Sequence, residues 1–102
     1  MIHFLENRID EIITLCKEHR VRSISLYGSA ARNAMIDTSD VDFLVEFAND
    51  VNTLDYGDNY FSFIEGLEKI TGRKVDLITT KALRNPILKS AIENSKIDLY
   101  AA

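Results

Sequence analysis

The stretch Tyr27-Gly28-Ser29-Ala30-Ala31-Arg32-Asn33-Ala34-Met35-Ile36-Asp37-Thr38-Ser39-Asp40-Val41-Asp42, continued by Phe43-Leu44-Val45-Glu46-Phe47, decides how the rest of this sequence is read. Val21 to Tyr27 is rich in Val, Ile, Ser and Tyr and stops at Gly28, the pattern of a strand ending in a turn. Ser29 to Ala34 reads as a short helical segment capped by Ser29, and Met35 to Ser39 as a connector. Val41 to Phe47 is a nearly continuous apolar run and the strongest strand signal in the chain. Asp40 and Asp42 sit two residues apart at its start. A period of two places both on one face of the sheet, with Val41 and Phe43 on the other.

Two carboxylates held that close repel one another when both are ionised. Such an arrangement is costly unless a cation sits between them. Magnesium is the obvious candidate, because it takes one or two carboxylates and completes its octahedron with water and substrate phosphates. A third acid, Asp76, lies inside another apolar run, flanked by Val75, Leu77 and Ile78. If that strand lies beside the Asp40/Asp42 strand, three carboxylates converge, enough for a two-metal site. The phosphate end of such a site is Gly28-Ser29, where a strand turns sharply into a helix whose free N–H groups favour an anion. Ser29 adds a hydroxyl donor. Arg32, about one turn on, could reach the same anion with its planar fork of donors. Each piece has a bland reading: a Gly-Ser turn, an Asp40 cap, a solvated Arg32, an Asp76 reaching solvent from an edge. Their order and strand context lift the combination above its parts. Asp37 is read as a surface acid.

Working outward, Leu5, Ile9, Ile12, Ile13 and Cys16 recur at helical spacing and predict an amphipathic helix over about Ile2 to Glu18. Asn49 to Asp55 reads as a polar loop. Tyr60, Ile64, Leu67 and Ile70 form a helical stripe ending at Gly72, placed as a helix C′ glycine. Lys74 to Thr79 is a second apolar strand. Asn85 followed by Pro86 predicts a capped helix through about Glu93, and Ile97 to Tyr100 a last short strand. The order predicts an α/β (α+β) layer, helices over a small sheet. Four glycines and one proline in 102 residues leave no flexible linker, so residues 1–102 read as one domain. A chain of that length buries somewhat more than ~60% of its unfolded surface, enough for one modest core.

Hydrophobic residues make up 46% and charged residues 27%, which excludes bulk disorder and fibrous repeats. A net charge of −4 argues against a long nucleic-acid footprint and suits a metal site or a basic protein partner. No run is long and apolar enough to span a membrane, no signal peptide is visible at Met1 to Arg8, and the one cysteine makes no internal disulfide. A cytoplasmic location is expected. There is no Gly-rich P-loop and no EF-hand. His3 and His19 are isolated, and Cys16 lies on the apolar stripe of the first helix, so zinc and Cys–His chemistry are disfavoured. The Tyr56, Tyr60, Phe61 and Phe63 cluster reads as packing rather than a base-stacking platform.

Gly28-Ser29, ten residues, then Asp40-Val41-Asp42, with Asp76 later on a strand, resembles the nucleotidyltransferase signature of the DNA polymerase β-like superfamily. With Arg32 and the Ser39-Asp40-Val41-Asp42-Phe43 run, the chain looks like the minimal nucleotidyltransferases (MNT) that serve as antitoxins in HEPN/MNT toxin–antitoxin pairs. Relatives often carry Phe before Gly-Ser and Gly after the Arg, where this chain has Tyr27 and Asn33. The resemblance implies a small mixed sheet with flanking helices. It implies Mg2+ held by Asp40 and Asp42, Asp76 completing the metal site and helping to deprotonate the attacking hydroxyl, and Gly28 and Ser29 holding the triphosphate of ATP. The implied reaction is in-line attack on the α-phosphorus with release of pyrophosphate, transferring AMP to a tyrosine of a HEPN-type toxin. The length leaves no acceptor-binding module, so the hydroxyl has to come from another molecule, a toxin or a second subunit of a homo-oligomer. The competing reading is a catalytically silent antitoxin that neutralises its partner by binding alone.

Overall fold

Val41, Phe43, Val45 and Phe47 alternate along one strand, and all four are buried. The residues between them, Asp42, Leu44 and Glu46, lie on the opposite face, as a period of two requires. In the computed structural model, which describes residues 7–28, 40–48 and 53–102 (without the side chains of 53–55), this strand is the second of a four-stranded sheet. The described elements run α1 (Ile9–Glu18), β1 (Val21–Tyr27), β2 (Val41–Phe47), α2 (Thr53–Thr71), β3 (Val75–Thr79), a 3-10 turn (Thr80–Ala82), α3 (Pro86–Ser95) and β4 (Ile97–Ala101).

The strand order is β3-β2-β1-β4. β1 runs antiparallel to both β2 and β4, while β2 and β3 are parallel and joined through α2, so the sheet is mixed. A parallel pair needs a crossover of a dozen residues or more, and α2 supplies it. One sheet face is closed by α1 and α2: Ile12, Cys16, Phe63 and Leu67 pack on Ile24, Leu26, Phe43 and Val45, all eight with no exposed surface. The other face carries a smaller cluster of Leu44, Leu83 and Ile92, with Tyr27 and Ile78 packed against it. Where α1 meets α2, a Cβ on Gly66 would come within 2.7 Å of Leu15 Cδ1, so the glycine lets the two helices close up.

Local signals explain the boundaries. Gly72 has φ +68 and its N–H donates to the Glu68 carbonyl at 2.8 Å, ending α2. The Glu68 carboxylate then accepts from the Val75 N–H at 3.1 Å, fastening the turn to the start of β3. Asn85 Oδ1 accepts from the N–H groups of Ile87 and Leu88, with Pro86 at the first helical position.

The expected mixed layer of helices over a small sheet is what forms. One boundary differs: residues 53–55, expected to be loop, belong to α2. Thr and Asp read as loop residues, yet they also suit the first turn of a helix, where free N–H groups attract acids and hydroxyls. α3 runs to Ser95 and β4 to Ala101, slightly beyond the expected ends. The Ile2–Glu6 part of the first helix, the Ser29–Ala34 helix and the Met35–Ser39 connector lie outside the described residues.

Cys16 is fully buried in the core, and burial pushes its thiol up to about 12, which makes it a packing residue and no nucleophile. No helix among the described residues is long and apolar enough to cross a membrane. Phe63 is the aromatic centre of the closed face, with Phe47 edge-on at 5.9 Å. Phe63→Ala is expected to destabilise the domain by about 3–5 kcal/mol, read from urea denaturation; a loss well below that range would show that the α2–sheet seam is not the main core.

Candidate active site

β2 and β3 enter the sheet side by side. Val41 N–H donates to the Lys74 carbonyl at 2.9 Å, and from there Asp42 stands in register with Asp76. Neighbouring strands lie about 4.8 Å apart, so the two carboxylates leave adjacent backbone positions on the same face. On the other side of β2, Asp42 pairs in register with Tyr27 of β1. Asp40 sits one step outside β2 and is exposed. The expected neighbourhood of Asp42 and Asp76 is what forms, whereas Asp40 lies outside the strand and the expected convergence of all three carboxylates on one metal group does not form, because the strand pairing that aligns the other two acids begins only at Val41. Ser29 and Arg32, expected to hold the triphosphate, lie outside the described residues.

Gly28 closes the edge of this patch. Its φ is +68, a conformation that side chains rarely adopt. A Cβ built on it would collide with Asp42 Oδ2 and stand 3.3 Å from Asp42 Cγ. The turn is what calls for glycine here, and the Asp42 carboxylate occupies the space that a side chain at this position would take.

The electrostatics follow from the geometry. Burial, and then the negative charges of Asp76 and Asp40, raise the Asp42 carboxyl above the usual carboxylate range. Burial raises the Tyr27 phenol, with Asp42 and Asp76 adding to the effect. Burial likewise raises Tyr60, helped by Tyr56 and Asp76, and its hydroxyl donates to the Leu77 carbonyl at 2.9 Å. Both tyrosines therefore stay neutral beside the acids. The patch is a concentration of negative potential, half sunk in the sheet.

Whether these residues fit a metal is a question of donor chemistry. The acids offer hard carboxylate oxygens, the set that magnesium takes. Nitrogen and sulfur donors among the described residues are engaged elsewhere: His19 bonds the Leu15 carbonyl at 2.9 Å and Ser62 Oγ at 3.1 Å behind the sheet, and Cys16 is in the core. Among the described residues no group of three His, Cys, Asp or Glu side chains is gathered into a ready-made metal cage. That is compatible with magnesium, which is usually bound by one or two carboxylates and completed by water and phosphate oxygens. The chemistry the patch supports is the holding of a hard divalent cation against a polyanionic substrate.

Two features escaped the sequence reading. Tyr27 lies directly across from Asp42, a placement that needs the β1–β2 register. Ser25 Oγ donates to Asp98 Oδ1 at 2.7 Å, and Lys96 Nζ lies 3.1 Å from the same oxygen, joining β1 to β4. The hydrogen bond from Ser25, aided by Lys96, lowers the Asp98 carboxyl. No spacing rule links residues 73 apart.

A model of the nucleotidyltransferase domain matches residues 9–99. A protein of Methanocaldococcus jannaschii named "Putative protein adenylyltransferase" is 46% identical over 80 residues, 78% of each chain. The solved structure of a "putative minimal nucleotidyltransferase" superposes with a TM-score of 0.78 at 26% identity, over 94% of this chain and 93% of that one. A chain of the complex of tri-AMPylated Shewanella oneidensis HEPN toxin with MNT antitoxin shares the fold, at a TM-score of 0.61 and 18% identity over 92% of this chain and 70% of that one.

The raised Asp42 carboxyl fixes the sign of a pH effect. Its folded pKa lies above its unfolded one, so the folded state binds the proton more tightly between the two values. Stability from this group falls as pH rises through that window and stays reduced above it. Without divalent cations, Asp42→Asn is expected to flatten this slope and raise the neutral-pH melting temperature, as read by thermal melts across the acidic range. Parallel curves for wild type and variant would contradict the buried-repulsion account.

Proposed function

This chain belongs to the nucleotidyltransferase domain family, and on that premise we propose that it transfers AMP from ATP, with magnesium, to a tyrosine hydroxyl of a HEPN-type toxin and so acts as its antitoxin. The observation that carries the reading is the register of Asp42 with Asp76 beside the glycine turn: two carboxylates placed side by side where a strand runs out at Gly28. The adenylyltransferase name of the Methanocaldococcus relative and the AMPylated toxin in the Shewanella complex support the choice of group and acceptor.

In this reading Asp40, Asp42 and Asp76 would hold Mg2+, which would supply positive charge against the triphosphate. Gly28, Ser29 and Arg32 grip the phosphates, Gly28 by leaving its backbone bare and the other two by donating hydrogen bonds. The tyrosine oxygen attacks the α-phosphorus in line. A bond forms from that oxygen to phosphorus, the bond from the α-phosphorus to the bridging oxygen breaks, and pyrophosphate leaves. Asp76, exposed at the mouth of the patch, accepts the phenolic proton. Most of the acceleration comes from positioning and charge neutralisation. A cytoplasmic location suits ATP as donor.

The test is the intact mass of a HEPN-type toxin after incubation with this protein, ATP and magnesium. Wild type is expected to add one or more AMP groups and to relieve toxicity in cells. Asp40→Ala combined with Asp42→Ala is expected to abolish the mass change while leaving association with the toxin in place. Full relief of toxicity by the double variant, with no AMP added by wild type, would favour neutralisation by binding alone.

Asp76→Asn separates chemistry from folding. Its transfer rate is expected to fall roughly 100-fold or more, the scale of a lost general base, while the melting temperature stays near wild type or rises. Loss of folding with full activity in the remaining folded fraction would make Asp76 a structural acid.

A further inference from the structure

α3 is a helix with little core of its own. Of its ten residues, Ile92 alone is buried, seated on Leu44 and Leu83. At its other end two large apolar side chains face solvent: Ile87 is 81% exposed and Leu88 47%. Ile87 is the most exposed large hydrophobic among the described residues. The Asn85 cap holds the N–H groups of both, so the pair is presented on a fixed first turn rather than on a loop. An apolar anchor held in place before binding loses less conformational freedom on docking.

The position of α3 indicates what covers it. Its buried residue Ile92 packs with Tyr27 on the sheet face that carries Asp42 and Asp76. α3 begins past the far end of β3 and ends at Ser95, just before β4, whose first residue Ile97 pairs with Leu26 beside the acid patch. The helix therefore crosses the open face toward the acids. Ten residues at about 1.5 Å each span about 15 Å. An interface of standard size covers about 800 Å² on each partner, a patch roughly 30 Å across, so a protein seated over the acids reaches Ile87.

Charge adds to this. Between Asp76 and Glu93 the chain has Lys81, Arg84 and Lys89 and no acid. All three are exposed, and none is ion-paired among the described residues. Ile87 and Leu88 thus lie in an exposed stretch whose charged residues are all basic, on a chain whose net charge is −4. An apolar centre with a charged rim is the ordinary anatomy of a protein interface.

We infer that Ile87 and Leu88, within the Lys81–Arg84–Lys89 rim, form the docking surface for the protein that receives the nucleotidyl group, and that its matching face is apolar at the centre and acidic at the edge. The inference rests on the function proposed above and names the surface that function uses. The acids and the anchor engage the same partner at once, one for chemistry and one for affinity.

The experiment measures affinity of the full chain for a HEPN-type toxin by calorimetry, in wild type, Ile87→Asp, Lys89→Glu and Phe61→Asp. Phe61, 66% exposed on α2 in the layer behind the sheet, is the control. Ile87→Asp is expected to weaken binding about tenfold or more, as loss of a central anchor does. Lys89→Glu should weaken it less and in a salt-dependent way, while Phe61→Asp leaves it unchanged. Binding of magnesium and ATP should be the same in all four, and circular dichroism should show the same fold. If wild type binds the toxin and Ile87→Asp binds equally well, the docking surface is wrong and the proposed function stands. If wild type binds no such toxin, the proposed function fails and this surface assignment with it. If light scattering shows a wild-type dimer that Ile87→Asp converts to monomer, a second copy of the chain occupies the surface and the inference is overturned.

Discussion

The half-burial of the Asp42 carboxylate in the sheet, level with Asp76, is the constraint to which the rest of the structure answers. Parallel pairing of β2 and β3 sets the two acids at one level, and their backbone positions cannot part without breaking register. Apolar packing on the reverse of the same strands supplies the opposing force. Val41, Phe43, Val45, Val75 and Leu77 are all buried beneath α1 and α2. Burying a large aliphatic or aromatic side chain contributes about 1.5–3 kcal/mol, so a handful of these residues outweighs one strained carboxylate pair. The closed face is thus what allows the open face to be unfavourable on its own and receptive to a cation.

The alternation along Val41–Phe47 was readable from sequence because burial on one face and charge on the other leave a period of two. The caps at Asn85 and Gly72 were readable because each solves a local backbone problem with a characteristic residue. The three acids could be listed, and the neighbourhood of Asp76 could be stated only as a condition, since strand order is a long-range fact. Thr53 to Asp55 misled for the opposite reason, because polar residues suit a helix's first turn as well as a loop. Gly28 was assigned to phosphate, and its contact with the Asp42 carboxylate emerged only with the β1–β2 register in place.

The two faces of the sheet divide the labour. Behind it, Phe47, Tyr60 and Phe63 pack ring against ring, and His19 is tied to both Leu15 and Ser62. In front, the cover is thin, with Leu83 and Ile92 the only residues beyond the sheet buried in the smaller described cluster. The proposed substrate and protein partner would approach the acids from this front face, where a thicker core would stand in their way.

The strand order has a consequence for how the protein is made. β4 lies against β1, and the Ser25–Asp98 hydrogen bond spans 73 residues of sequence. During synthesis β1 emerges long before its outer neighbour. Until then it has one strand edge unpaired, and unpaired edges invite association with other chains. Contacts this distant in sequence also slow folding. The nascent chain therefore passes through a stage in which β1–β3 can assemble without β4, the stage at which chaperones and proteases have their best access to it.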